Sequence, residues 1–125
     1  MRNPFFLADR YVIPGLYRLL AMNLRRRGLL EVEIARILGI SVSNVSRYLR
    51  MKRGAILRLE NLGEALKFTD ELAESIIAGK RVDLAFSIYK IASELLARKL
   101  ICEFHRSIDG IDSCNVCPEI FKGNF

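Results

Sequence analysis

The single histidine of the chain and all three of its cysteines fall between positions 102 and 117, as Cys102, His105, Cys114 and Cys117 in a C-x2-H-x8-C-x2-C spacing. All four are metal-ligand types. If helical geometry persists past Ile101, Cys102 and His105 lie three apart on one face, and Cys114-Asn115-Val116-Cys117-Pro118 forms a knuckle-like turn able to offer two thiolates to one ion. Four donors match a closed tetrahedral site. Zinc suits three Cys and one His; an iron–sulfur cluster is the alternative, since thiolates hold such clusters and histidine can replace some of them. Two plainer readings stand beside these: the cysteines are small buried hydrophobes with an incidental histidine, or Cys114 and Cys117 form a thiol switch. The sequence has no Gly-rich phosphate loop, no serine with an assignable base and no second histidine, and four ligands would close a metal to substrate, so the expectation is a non-enzyme.

A second constellation suits recognition rather than reaction. Ser41 can cap a helix that starts at Val42, which sets Ser43, Asn44, Ser46 and Arg47 at or near its leading end. Arg47 can pair with guanine, Asn44 with adenine, and Ser43 or Ser46 with bases or phosphates. Ser41, Arg50, Lys52 and Arg53 suit phosphate contacts, which fix register and strength without reading sequence. For this helix to sit in a groove it must be held steeply against a preceding one, which requires a small residue there and a positive-φ turn. Ala35 and Gly39 supply them, and Ile34, Leu38, Ile40, Val45 and Tyr48 or Leu49 fall where apolar side chains would seal the pair. The spacing therefore predicts helices over 31–38 and 42–49.

Around this pair, Pro14 in a first turn, Leu16, Leu19, Leu20 and Leu24 at helical spacing, and Gly28 after three arginines predict a helix over about 14–26. The segment 55–59 fits a strand, a wing or a helix start equally well. Leu62, Ala65, Leu66, Thr69, Leu72, Ala73 and Ile76 share one face of a helix that stops at Gly79. Asp83 caps another, which Leu84, Phe86, Ile88, Ile91, Leu95 and Leu96 carry to about Ile101. Its wide apolar face calls for cover on two sides, so Leu84, Ile88, Ile91 and Leu95 are the expected seam of a homodimer, shared with an N-terminal arm of Phe5, Phe6 and Leu7. From Cys102 on, Gly110, Pro118 and Gly123 predict irregular structure. The expected fold is all-α: a helical bundle with the helix-turn-helix in residues 1–60, two longer helices forming a core and dimerisation region in 61–101, and an irregular Cys/His tail in 102–125.

Charge supports a polyanionic partner. The formal net charge is +6, yet residues 18–58 hold ten Lys and Arg against two Glu, whereas residues 60–79 hold one Lys against five acids. The basic excess is local, and a local excess attracts nucleic acid or an anionic membrane surface. No apolar run is long enough to span a bilayer and no secretory signal pattern opens the chain, so the expectation is a cytoplasmic protein without a membrane partner. Double-stranded DNA is the expected partner, because the segment lacks the aromatic stacking positions that RNA readers use, apart from Tyr48, assigned to the core. The rival expectation is a protein-interaction module that uses the apolar 84–101 helix, with the basic face merely solvated.

The stretch EVEIARILGISVSNVSRYLRMKRG resembles the helix-turn-helix of bacterial and archaeal repressor-like regulators, with Ala35, Gly39 and Val45 in register. Over nearly its whole length the chain resembles short archaeal predicted transcriptional regulators whose tail reads Cys-Glu-x-His and then Cys-x-x-Cys, here Cys102-Glu103-Phe104-His105 and Cys114-Asn115-Val116-Cys117. The resemblance implies that Val42 to Leu49 is the recognition helix. Relatives fused to a thiamine-phosphate synthase-like domain suggest regulation of cofactor biosynthesis, but no such domain is present in this sequence.

Overall fold

A computed structural model describes residues 3–109 and 116–121, with the side chain of residue 109 left aside. Among them every regular element is helical: α1 (Pro4–Leu7), α2 (Ile13–Arg26), α3 (Glu31–Leu38), α4 (Val42–Leu49), α5 (Gly63–Ile77), α6 (Leu84–Ala97), α7 (Cys102–Asp109) and α8 (Val116–Ile120). The all-α expectation holds. One apolar core runs from Val12 to Phe121 and includes residues of all three expected regions. No helix among the described residues is long and apolar enough to cross a membrane.

α2 is the axis, packed against α3, α4, α5 and α6. Leu16, Leu19, Leu20, Ala21 and Leu24 are all buried, so more than one face is covered. The chain enters this axis helically rather than as an arm. Asn3 Oδ1 accepts the Phe6 N–H at 2.9 Å, which caps α1, and Pro4 occupies the first turn. A π-helical turn over Ala8–Val12, closed by the Ile13 N–H on the Ala8 carbonyl, joins α1 to α2. Pro14 supplies the reason: it has no N–H to give, and its ring would meet the carbonyl four residues back in a tight α-turn, which the wider turn relieves. Leu7 is buried by this run, but Phe5 and Phe6 stay exposed.

Other departures follow from similarly local causes. Segment 55–59 forms neither strand nor helix; it leads into a single 3-10 turn over Leu59–Asn61. α6 stops at Ala97 rather than near Ile101. Lys99 takes a left-handed φ of 60°, the Leu100 N–H reaches back to the Leu95 carbonyl at 3.0 Å, and the chain restarts as α7 at Cys102. The tail is thus helical over Cys102–Asp109 and Val116–Ile120 where irregular structure was expected. Of the expected dimer seam, Leu84 and Ile91 are half-buried and the other two residues lie inside the chain. Ile88 and Leu95 are 0% exposed within one chain, and it is Phe86 (49%) and Tyr89 (54%) that α6 turns to solvent. α6 packs against α2, α5 and α8 and the π-turn, which bury part of its wide apolar face.

Candidate nucleic-acid interface

The α3–α4 unit is built as its sequence requires. Glu33 takes the Leu30 N–H at 2.9 Å to start α3, and Gly39 ends it in the left-handed region (φ 69°), where the Ile40 N–H returns to the Ala35 carbonyl at 3.1 Å. Two residues later Ser41 Oγ accepts the Asn44 N–H at 3.1 Å and starts α4. Ile34, Ala35, Leu38, Val45 and Tyr48 are buried, so the back of α4 is fixed against α2 and α3. Ile40 and Leu49 are half-buried at the edge of this seal.

The outward side of α4 is polar, with Ser43, Arg47 and Arg50 exposed, Asn44 and Ser46 half-buried and Val42 43% exposed. Val42, Ser43, Ser46, Arg47, Arg50 and Lys52 line a shallow open cleft of about 480 Å³, together with Glu31 from the start of α3. The sequence-predicted recognition residues Ser43, Ser46 and Arg47 and the phosphate candidates Arg50 and Lys52 therefore meet on one face. Ser41 and Arg53 are engaged otherwise. Ser41 spends its oxygen on the cap, while the Arg53 guanidinium lies 5.6 Å from the centre of the Tyr48 ring and donates to Asn44 Oδ1 at 3.2 Å. Arg47 donates to the same oxygen at 3.3 Å. Burial pushes the Tyr48 phenol above its ordinary value, with Arg53 pulling the other way.

The basic stretch does not form one patch. Arg18 is 0% exposed; its guanidinium forms a two-point pair with Glu60 and gives Nε to the Gly54 carbonyl at 2.8 Å. That pairing holds the Glu60 carboxyl below its ordinary value, chiefly through the Arg18 hydrogen bonds and against partial burial. Arg27 bonds Asp70 at 2.6 Å and Asn23 Oδ1 at 2.7 Å, which ties α2 to α5. Arg58 sits 3.7 Å from Glu60. The cations gathered at α4 are Arg47, Arg50, Lys52 and Arg53, and none of them has a carboxylate within 4.0 Å among the described residues.

Arg18 is the structural tie that sequence reasoning missed, since it counted toward the basic excess. A signal was available: it lies in the run Leu16-Tyr17-Arg18-Leu19-Leu20 of a helix with too many leucines for one face, where a polar side chain is forced inward. Its bond to Gly54 fastens the segment after α4 to the start of α2. Gly54 can come this close only without a side chain, because a Cβ there would stand 2.3 Å from the Pro14 carbonyl oxygen.

In the tail, Cys102 (half-buried), His105 and Cys117 (both buried) line one narrow cleft with Leu7, Leu96 and Ile101. Among the described residues no three His, Cys, Asp or Glu are grouped closely enough to hold an ion, and Cys114, the fourth expected ligand, lies outside the described residues. A larger cleft of about 450 Å³ between α5 and α6 has Phe68, Leu72, Phe86 and Ile91 in its walls and Glu94 and Arg98, paired at 2.9 Å, on its rim. Set beside known families, curated proteins and solved structures, the chain matches none of them.

Proposed function

We propose that this chain is a sequence-specific regulator of transcription that binds double-stranded DNA, with α4 in the major groove. The observation that carries the reading is the two-sidedness of α4. Val45 and Tyr48 lock one side into the core, and the other presents Ser43, Ser46 and Arg47 with Arg50 and Lys52 beside them, without carboxylate partners among the described residues. A short, rigidly backed helix with a small polar leading end is what the major groove admits in helix-turn-helix docking. Ser43, Asn44, Ser46 and Arg47 then address base edges, and Arg50 and Lys52 address phosphates. One such helix reads a half-site, so the functional unit is a homodimer with two copies of α4 about 34 Å apart. With Ile88 and Leu95 inside the chain, pairing falls to exposed residues such as Phe86 and Tyr89.

The reading extends to the tail, where Cys102, His105 and Cys117, completed by Cys114, would hold zinc as a structural ion, with an iron–sulfur cluster as the alternative. The shared cleft of three of these residues supports this, and the ungrouped geometry noted above does not.

Anisotropy titration of labelled random duplex at two salt concentrations tests the DNA reading. Affinity is expected to fall steeply with salt, with a log–log slope of about −0.9 per neutralised phosphate. Lys52→Ala should weaken random and preferred duplexes alike, and Arg47→Ala should cost about 1 to 3 kcal/mol on the preferred site only. Absence of salt-sensitive duplex binding, with helical content intact, would overturn the reading.

A further inference from the structure

We infer that Arg53 is a specificity-positioning residue: by occupying the Asn44 carbonyl together with Arg47, it leaves Asn44 a hydrogen-bond donor only and directs it to guanine instead of adenine. This rests on α4 being the recognition helix. An asparagine amide has one oxygen with two acceptor sites and one nitrogen with two donors. Asn44 Oδ1 accepts from Arg47 Nη1 at 3.3 Å and from Arg53 Nη1 at 3.2 Å, so both acceptor sites are taken and the Nδ2 donors remain. Arg53 is itself anchored. Its guanidinium lies over Tyr48, which is buried and stacks on Tyr17 with ring centres 6.4 Å apart. Arg53 therefore approaches Asn44 from a fixed aromatic base, unlike a side chain free in solvent.

The consequence follows from base-edge chemistry. Adenine offers an acceptor and a donor in the major groove, and its two-point pair with asparagine needs the amide oxygen free. Guanine offers two acceptors, N7 and O6, and cytosine a donor. A donor-only Asn44 beside the Arg47 guanidinium matches guanine, loses half of the adenine pair and opposes cytosine donor to donor.

The test is selection from a randomised duplex library followed by titration, with the position read by Asn44 defined as the one whose preference vanishes in Asn44→Ala. Wild-type protein should prefer guanine there by about tenfold over adenine, and replacing that guanine with 7-deazaguanine, which removes N7, should cost about fivefold. Arg53→Ala, with unchanged circular dichroism, should move the preference at that position toward adenine. Arg50→Ala, which removes an equal charge without touching Asn44, should leave the preference as it was. Adenine preferred by wild-type protein, or indifference to 7-deazaguanine, overturns the inference while leaving α4 as the reader. So does an Arg53→Ala protein that binds every sequence more weakly with guanine still preferred. Wild-type protein that binds no duplex overturns both. Should Arg53→Ala fail to fold, the two wild-type measurements decide alone.

Discussion

Replacing Gly54 by alanine tests how the segment after α4 is held to the rest of the molecule. Two separate penalties apply. The residue sits at φ +68°, where an L side chain costs about 1 to 2 kcal/mol. A Cβ would also lie 2.3 Å from the Pro14 carbonyl oxygen and 2.7 Å from its carbon, and this neighbour is backbone at the start of α2 that cannot rotate aside. Overpacking against such a wall adds about 1 to 3 kcal/mol, so Gly54→Ala should destabilise by about 2 to 5 kcal/mol. Gly39 is the internal control. It has nearly the same φ, +69°, but an added Cβ meets nothing within 4 Å, so Gly39→Ala carries only the backbone term. Urea denaturation of the two variants, compared at equal m, isolates the steric part as the difference between them. Equal losses, within about 0.5 kcal/mol, would mean that the Gly54–Pro14 contact does not exist in solution.

Glu60→Gln should destabilise the protein by an amount that depends on pH. The folded-state pKa of Glu60 lies below its ordinary 4.5, so its contribution is full above pH 4.5 and is lost as the pH falls through the lower folded value; a wild-type to variant difference that grows on acidification would refute the pairing. Glu31→Gln removes a carboxylate from the cleft beside α4 and should tighten binding to random duplex at low salt; unchanged affinity would place Glu31 away from the DNA. Elemental analysis of protein from metal-replete medium should find about one zinc per chain, colourless, whereas a brown anaerobic preparation would indicate iron–sulfur; protein with neither metal would make the cysteines packing residues or thiols.

Where punctuation residues carry the backbone geometry, the sequence is readable. Gly39 and Ser41 sit at the turn they predict, Asp83 caps α6 through the Phe86 N–H at 3.1 Å, and the bounds of α3 and α4 follow. Where the same geometry is taken by other residue types it is hidden. Met51 and Lys99 end α4 and α6 in the left-handed region without being glycine, so nothing in the pattern separates α6 from α7. Proline misled in two ways. Pro14 reads as the start of a helix though the helical path already runs from Pro4, and Pro118 reads as a breaker though it stands in the first turn of α8, where its missing N–H costs nothing. At the candidate interface, residue types and face were legible in Ser43, Ser46, Arg47, Arg50 and Lys52. The bonds of Arg53 to Asn44 and of Arg18 to Gly54 were not, because they join residues 9 and 36 positions apart through side-chain paths that periodicity does not encode.

The early and late segments of the chain meet. Phe5 lies edge-on to Phe121 with ring centres 5.5 Å apart, Tyr11 to Phe104 at 5.0 Å, and Leu7 closes the cleft that Cys102, His105 and Cys117 line. On the ribosome this imposes a wait. α1 and the π-turn are made before α7 and α8, so Phe5 and Tyr11 find Phe121 and Phe104 only after those helices follow, and until then Phe5 and Leu7 lack the late cover. The intervening helices can assemble around α2 through nearer contacts, leaving closure of the two segments as a late, high-separation step. A stalled or slowly translated message would prolong that exposure, and nascent chains halted before α7 should be the species that chaperones hold and proteases cut near Phe5 and Phe6.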